Sequence, residues 1–242
     1  MGKLTGKVAI VTGASRGIGR GIAQGLAREG AHIVLTARDE QGLSRTRDEI
    51  VSAGGAATIH ACDVTVEHDV ESLFASVEKE FDRLDLLVNN AGAFDGGPLD
   101  QLSLEAWEHV MAVNLRGPFL CTRSALRMMK RAGGGRIINI GSISAQRVRL
   151  NSGPYSTSKH GIWGLTQVTA LEGREHGITC CCLHPGNVMV ERRETAKTED
   201  QEPMMAPADI AEVAVLMASL PPNVEMLEAI VLPAGQLYVG RG

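Results

Sequence analysis

Residues 7–19 read KVAIVTGASRGIG, an apolar run that breaks into a glycine-studded turn and leads into a helical pattern. The run KVAIVT (7–12) is continuous and rich in β-branched residues, the pattern of a strand buried on both faces. Glycines at 13, 17 and 19 let the chain turn sharply, approach a pyrophosphate closely and pack the next helix on the sheet. The start of that helix offers backbone N–H groups and the positive end of its dipole to phosphates. Gly13, Ser15, Arg16, Gly17, Ile18 and Gly19 are therefore the candidate phosphate cradle. Their spacing is G-x-x-x-G-x-G rather than G-x-G-x-x-G, so the place between strand and helix carries the reading.

The same alternation continues along the chain. HIVLTA (32–37), ATIHAC (57–62), LDLLVN (84–89), RIINIG (136–141), ITCCCL (178–183) and AIVLPA (229–234) read as further strands. Between them IAQGLARE, VESLFASVEKEF and ADIAEVAVLMASL place apolar residues at helical spacing. Strand and helix repeated in this way predict an α/β fold of three layers. It is a Rossmann-like, doubly wound parallel sheet of about seven strands with helices on both faces. At 242 residues the chain fits one domain, 1–242. One stretch breaks the pattern: ERRETAKTEDQEPMMAP is charged and lacks an apolar face, so 189–207 is expected to be a mobile loop beside the substrate.

Composition removes several function classes. A net charge of −4 leaves no electrostatic footprint for nucleic acid or an anionic membrane surface. No apolar run is long enough to span a membrane, and the N-terminal stretch is too short for a signal peptide. The five cysteines lack C-x-x-C spacing, which argues against a disulfide framework and a zinc site. Cys180, Cys181 and Cys182 are consecutive, so on a strand they point to alternate faces and cannot converge on one metal. No metal is expected, and the compartment is read as the cytoplasm.

The end of the second strand selects the nucleotide. An acidic residue there would hold the free ribose hydroxyl of NAD, whereas a cation suits the 2′-phosphate of NADP. The chain reads HIVLTARDE, with Arg38 at the junction and Arg16 in the glycine loop; Asp39 is the rival acid. Two cations against one displaced carboxylate favour NADP.

Further along, YSTSK (155–159) sets Tyr155 and Lys159 four apart, on one face of a helix, where the ammonium favours the phenolate. Ser142 follows RIINIG and so stands at the C-terminal end of a strand, where ligands bind in open α/β sheets. With TGASRGIG (12–19), DV (63–64), NNAG (89–92), Asn114, Ser142, Tyr155, Lys159 and HPG (184–186) in order, the chain resembles the short-chain dehydrogenase/reductase family along almost its whole length. Within it, the resemblance is to NADP-preferring 3-oxoacyl reductases and hydroxy-acid dehydrogenases.

The resemblance implies roles. Tyr155 is the general acid in reduction and base in oxidation, Ser142 holds the substrate oxygen, Lys159 assists the tyrosine and binds the nicotinamide ribose, and Asn114 anchors a relay water. Asp63 and Val64 are to touch adenine, Asn90, Ala91 and Gly92 the adenosine ribose, and the Pro185, Gly186 and Val188 turn the nicotinamide. Two departures stand out. Val190 replaces a threonine common in the family, and the ending AIVLPAGQLYVGRG replaces a glycine-rich turn containing aspartate. The partner is a small carbonyl or alcohol substrate, and a homo-oligomer, dimer or tetramer, is implied. Arg147 and Arg149 either hold an anionic substrate or face solvent or a neighbouring subunit; the same holds for Arg192 and Arg193. His160 and His184 are read as packing or ribose-shell residues. The rival function is a catalytically silent NADP-binding regulatory or scaffolding protein on the same fold.

Overall fold

The structure, a computed structural model, describes residues 2–190 and 203–238. Its frame is a parallel sheet of seven strands: β1 (Val8–Thr12), β2 (His32–Ala37), β3 (Ala56–Ala61), β4 (Leu86–Asn89), β5 (Gly135–Ile140), β6 (Ile178–Pro185) and β7 (Glu228–Val231). They lie in the order β3-β2-β1-β4-β5-β6-β7, and every neighbouring pair is parallel. Each strand falls on one of the apolar runs. The last stops at Val231, ahead of Pro233, which has no N–H to give a ladder.

The helices are α1 (Gly17–Arg28), α2 (Glu40–Ser52), α3 (Glu67–Phe81), α4 (Leu104–Met111), α5 (Gly117–Ala132), α6 (Gly153–Gly173) and α7 (Pro207–Ser219). Alternation along β1 sorts its residues to two cores. Ala9 and Val11 pack with Ile22 and Leu26 of α1, Leu43 of α2 and Ile210 of α7. Val8 and Ile10 pack on the other face with Leu73 of α3 and Leu120 and Met129 of α5. Cys180 and Cys181 divide between the cores in the same way. Burial pushes the Cys181 and Cys182 thiols up to about 12, so they are inert packing groups. Among the described residues no cluster suits a metal ion, and no helix is long and apolar enough to cross a membrane.

One helix departs from expectation. VMAVNLRGPFL reads as plain helix, yet Ala112–Arg116 forms a π-turn between α4 and α5, with Gly117 N–H donating to Ala112 C=O. Pro118 explains it in part: it has no N–H, so the Asn114 carbonyl four residues back receives no α-helical donor. The expected loop over 189–207 is joined at its base. Met189 N–H donates to Met205 C=O at 2.8 Å, and Met205 N–H to Asn187 C=O at 2.9 Å. Residues 191–202, with Arg192 and Arg193, lie outside the described residues.

Arg136, at the start of β5, closes the far end of the molecule. Its guanidinium is buried and donates to the Met217 carbonyl and to Val224 C=O at 3.0 Å, with Pro221 C=O at 3.3 Å. It thus caps the C-terminal end of α7 and the turn that follows, where a cation also meets the helix dipole. Arg136→Met keeps the aliphatic stem and strands those carbonyls. It is expected to cost about 2–4 kcal/mol in guanidinium-chloride unfolding, and a change within experimental error would refute the clamp.

Candidate active site

The strand order reverses between β1 and β4, so the loops leaving them diverge and open a cleft along the C-terminal edge of the sheet. The cleft measures about 970 Å³. Every residue assigned to the cofactor from sequence lines it, from Gly13 to Val188, as do Ser142, Tyr155 and Lys159. Asn114 does not; it is buried behind the wall.

The glycine loop is built as its sequence demands. Gly13 and Gly17 take left-handed backbone, with φ of +65° and +55°. A Cβ on Gly19 would fall 2.3 Å from the Gly13 carbonyl, so only glycine lets α1 come this close. Arg16 stands at the N-cap of α1 with no side-chain bond to the helix, and the first turn holds no acid. Within its own first turn α1 thus carries no carboxylate against the positive end of its dipole, which fits an anionic pyrophosphate.

At the outer end, Asp39 is the N-cap of α2, and its Oδ1 accepts from Gly42 N–H at 3.0 Å. Its carboxylate is engaged in holding a helix, which weakens its claim as a ribose ligand and leaves Arg16 and Arg38 as the cations there. Arg38 lies 3.7 Å from Asp63. Burial opposes ionisation of Asp63, but bonds from Thr65 N–H and its hydroxyl, together with Arg38, hold the carboxyl below its usual range.

Thr12, Asn89 and Asn139, to which the sequence assigned no role, hold these motifs in place. Thr12 Oγ1 accepts from Asn90 N–H at 2.9 Å and Ala91 N–H at 3.0 Å. Asn90 answers with its amide, which donates to Thr12 C=O at 2.9 Å and Gly13 C=O at 3.2 Å. The Asn90 side chain therefore ties the two loops together through its Nδ2. Below it, Asn89 Nδ2 donates to Asn139 Oδ1 at 2.8 Å, and Asn139 donates to Thr166 of α6 at 2.9 Å. A polar residue inside an otherwise apolar strand, as in RIINI, is the signal that could have found this staple.

Tyr155 and Lys159 lie one turn apart on α6. Lys159 is buried, its Nζ donates to Ile140 C=O at 2.8 Å, and it stands 5.6 Å from the centre of the Tyr155 ring. Phe94 packs beside the same phenol, 5.2 Å between ring centres and tilted by 59°. Ser142 Oγ accepts from Ser144 N–H at 3.1 Å. Asn114 has its side chain fully engaged: Oδ1 accepts from Ala93 N–H at 2.7 Å, and Nδ2 donates to Ala93 C=O and Ser158 Oγ. Of the arginines considered for substrate that lie in the described residues, Arg149 lines the cleft, while Arg147 lies over the Tyr238 ring at 5.1 Å. Val190 also lines it and packs on the core behind. His160 is exposed, with Nδ1 at Ser156 C=O.

Residues 7–201 match the model of the family described as short chain dehydrogenase. The chain belongs to that family. Among its relatives, the 3-oxoacyl-[acyl-carrier-protein] reductase of Synechocystis sp. is 36% identical over 200 residues, 82% of this chain and 81% of that protein. A metagenomic short-chain oxidoreductase solved in complex with NADP is 37% identical, with TM-score 0.85 over 96% of this chain and 98% of that one. A variant of actinorhodin polyketide ketoreductase solved with NADPH is 33% identical, with TM-score 0.88 over 97% and 98%. As a short-chain dehydrogenase, the protein is an oxidoreductase of the carbonyl–alcohol class, and the cleft just described is its candidate site.

His184 of this dehydrogenase does more than pack. Its Nδ1 lies 2.9 Å from Ser142 C=O and 3.2 Å from Ser142 N–H, bonding one or the other according to tautomer. Nε2 lies 3.3 Å from Glu228 Oε1, and the Trp163 and His184 rings meet in a T-shaped contact. Burial lowers the His184 pKa, with Lys159 adding to this and the Ser142 bond and Glu228 opposing it. A histidine depressed in the folded state binds its proton more readily when unfolded. Its contribution is therefore intact above pH ~6.5 and lost as pH falls through the folded value. The stability difference between wild type and His184→Asn is expected to shrink from pH 7 to pH 5 in urea titrations; a constant difference would contradict this.

Proposed function

We propose that the chain, acting as one unit over 1–242, is an NADP(H)-dependent oxidoreductase that interconverts a carbonyl and a secondary alcohol on a small substrate. Ketones, 3-oxoacyl compounds and 3-hydroxy acids are the candidate class. The observation that carries the reading is the pair on α6: Tyr155 and buried Lys159 face the same cleft as Ser142 and the glycine loop. The two related structures solved with NADP and NADPH support the cofactor, as do Arg16 and Arg38 at the outer end of the cleft. The 3-oxoacyl reductase relative supports the substrate class.

Bound in the cleft, NADPH supplies the hydride for reduction. Ser142 Oγ holds the substrate oxygen, and Tyr155 gives that oxygen its proton. Buried Lys159, one turn along α6, sets a cation beside the phenol as its proton leaves. Because the Asn114 side chain is engaged, its backbone carbonyl, deprived of an α-helical donor by Pro118, is the group that would hold a relay water. Phe94 and Leu150 beside Arg149 give the cleft an apolar wall with a cation next to it. Exposed Leu104, Phe119, Val168 and Leu171 on α4, α5 and α6 suit a homo-oligomer, and five free, buried cysteines suit a reducing compartment such as the cytoplasm.

Tyr155→Phe is expected to lower turnover of a ketone or 3-oxoacyl thioester by about 10²-fold or more, with NADPH binding retained in fluorescence titration. Turnover at the wild-type rate would exclude the tyrosine mechanism. NADPH binding without turnover across ketone, thioester and alcohol panels would favour the silent regulatory reading instead. Arg38→Ser is expected to raise KM for NADPH by about tenfold and to change KM for NADH little. An equal effect on both cofactors would remove Arg38 from the 2′-phosphate.

A further inference from the structure

After β7 the chain turns, with Gln236 N–H donating to Pro233 C=O at 2.9 Å, and passes beside the cleft. Its neighbours Gly235 and Leu237 are exposed, yet Gln236 is only 8% exposed. The side chain points inward, and Oε1 accepts from the buried Asn187 N–H at 2.9 Å. The space it fills is created by Gly186, where a Cβ would lie 2.2 Å from the same oxygen. The backbone of this loop is otherwise fixed by Gly186 N–H to Val231 C=O at 2.7 Å and by Met205 N–H to Asn187 C=O at 2.9 Å. Gln236 is thus a side-chain pin on the segment Pro185–Val188 that walls the inner end of the cleft. The same turn grips the opposite wall: Tyr238 donates its hydroxyl to Gln146, just past Ser142, and Gln146 donates to Glu228, the partner of His184.

We infer that the C-terminal turn is part of the active site and that Gln236 is a positioning residue, which sets the loop against which the nicotinamide half of the cofactor rests. The inference depends on the NADP(H) reading above. It predicts a split between the halves of the cofactor. The adenine half meets Arg38, Asp63 and the glycine loop, none of which Gln236 touches, whereas the nicotinamide half meets the loop it holds. Replacing it leaves Asn187 N–H buried without its acceptor and lets the loop shift.

The test uses the full chain and two probes, NADPH and adenosine 2′,5′-bisphosphate, which has only the adenine half. Gln236→Asn keeps the amide but is one methylene too short. It is expected to weaken NADPH about fivefold and to lower kcat about tenfold, with bisphosphate affinity unchanged. Gln236→Glu, whose carboxylate accepts the same N–H, is expected to restore both. Unchanged NADPH binding and kcat in a folded Gln236→Asn would overturn the inference, and so would parallel loss of both ligands. If Gln236→Asn does not fold, wild-type-like behaviour of Gln236→Glu supports the acceptor role and its failure overturns it. Wild type that binds neither probe would refute the cofactor reading instead. Hydrogen exchange at the Asn187 amide would then still test the pin: it is expected to be faster in Gln236→Asn, and an equal rate would sink it.

Discussion

The hydroxyl of Thr12 joins the two strand ends on which the site depends. Where the sheet order reverses, β1 and β4 send their chains apart, and the turns that follow leave backbone N–H groups without ladder partners. Thr12 accepts two of them, and the Asn90 amide returns two bonds to the carbonyls at 12 and 13. Four hydrogen bonds therefore join the glycine loop to the NNAG loop. A cleft formed by divergence alone would have two independent lips; this one has a fixed floor.

The same economy runs through the interior. Aliphatic side chains fill both faces of the sheet, and several of the buried polar groups tie its strands to the helices. Asn89, Asn139 and Thr166 tie β4, β5 and α6, while Asn114 ties the π-turn to Ala93 and Ser158. In a low-dielectric interior such bonds are directional and expensive to break, so they fix relative position where apolar contacts would allow sliding. Ser142, Tyr155 and Lys159 sit at the ends of these tied elements.

Much of this was legible in the chain. Seven apolar runs gave seven strands, because residues buried on both faces leave an unbroken signature. The glycine loop was legible because left-handed backbone and close approach select glycine. Tyr155 and Lys159 were legible because helix geometry fixes a four-residue offset. Other features were hidden. Asp39 and Asn90 have the chemistry of ligands; an aspartate is a local N-cap signal for α2, but nothing local says that Asn90 staples two loops. Arg147 and Arg149 are alike in sequence, yet one lies on Tyr238 and the other borders the cleft. The π-turn was foreshadowed only by Pro118, whose consequence falls four residues upstream.

The sequence by itself determined the layers, the strand set, the glycine turn and the shared helix face of Tyr155 and Lys159, since each follows from periodicity or backbone sterics within a few residues. Only the tertiary structure decided which polar groups face the cleft and which hold its walls. That choice turns on partners tens of residues away: Thr12 with Asn90, Asn139 with Thr166, Asn187 with Gln236. A side chain's hydrogen-bonding capacity is written in its type, but its use is set by what folding brings within three ångströms or so.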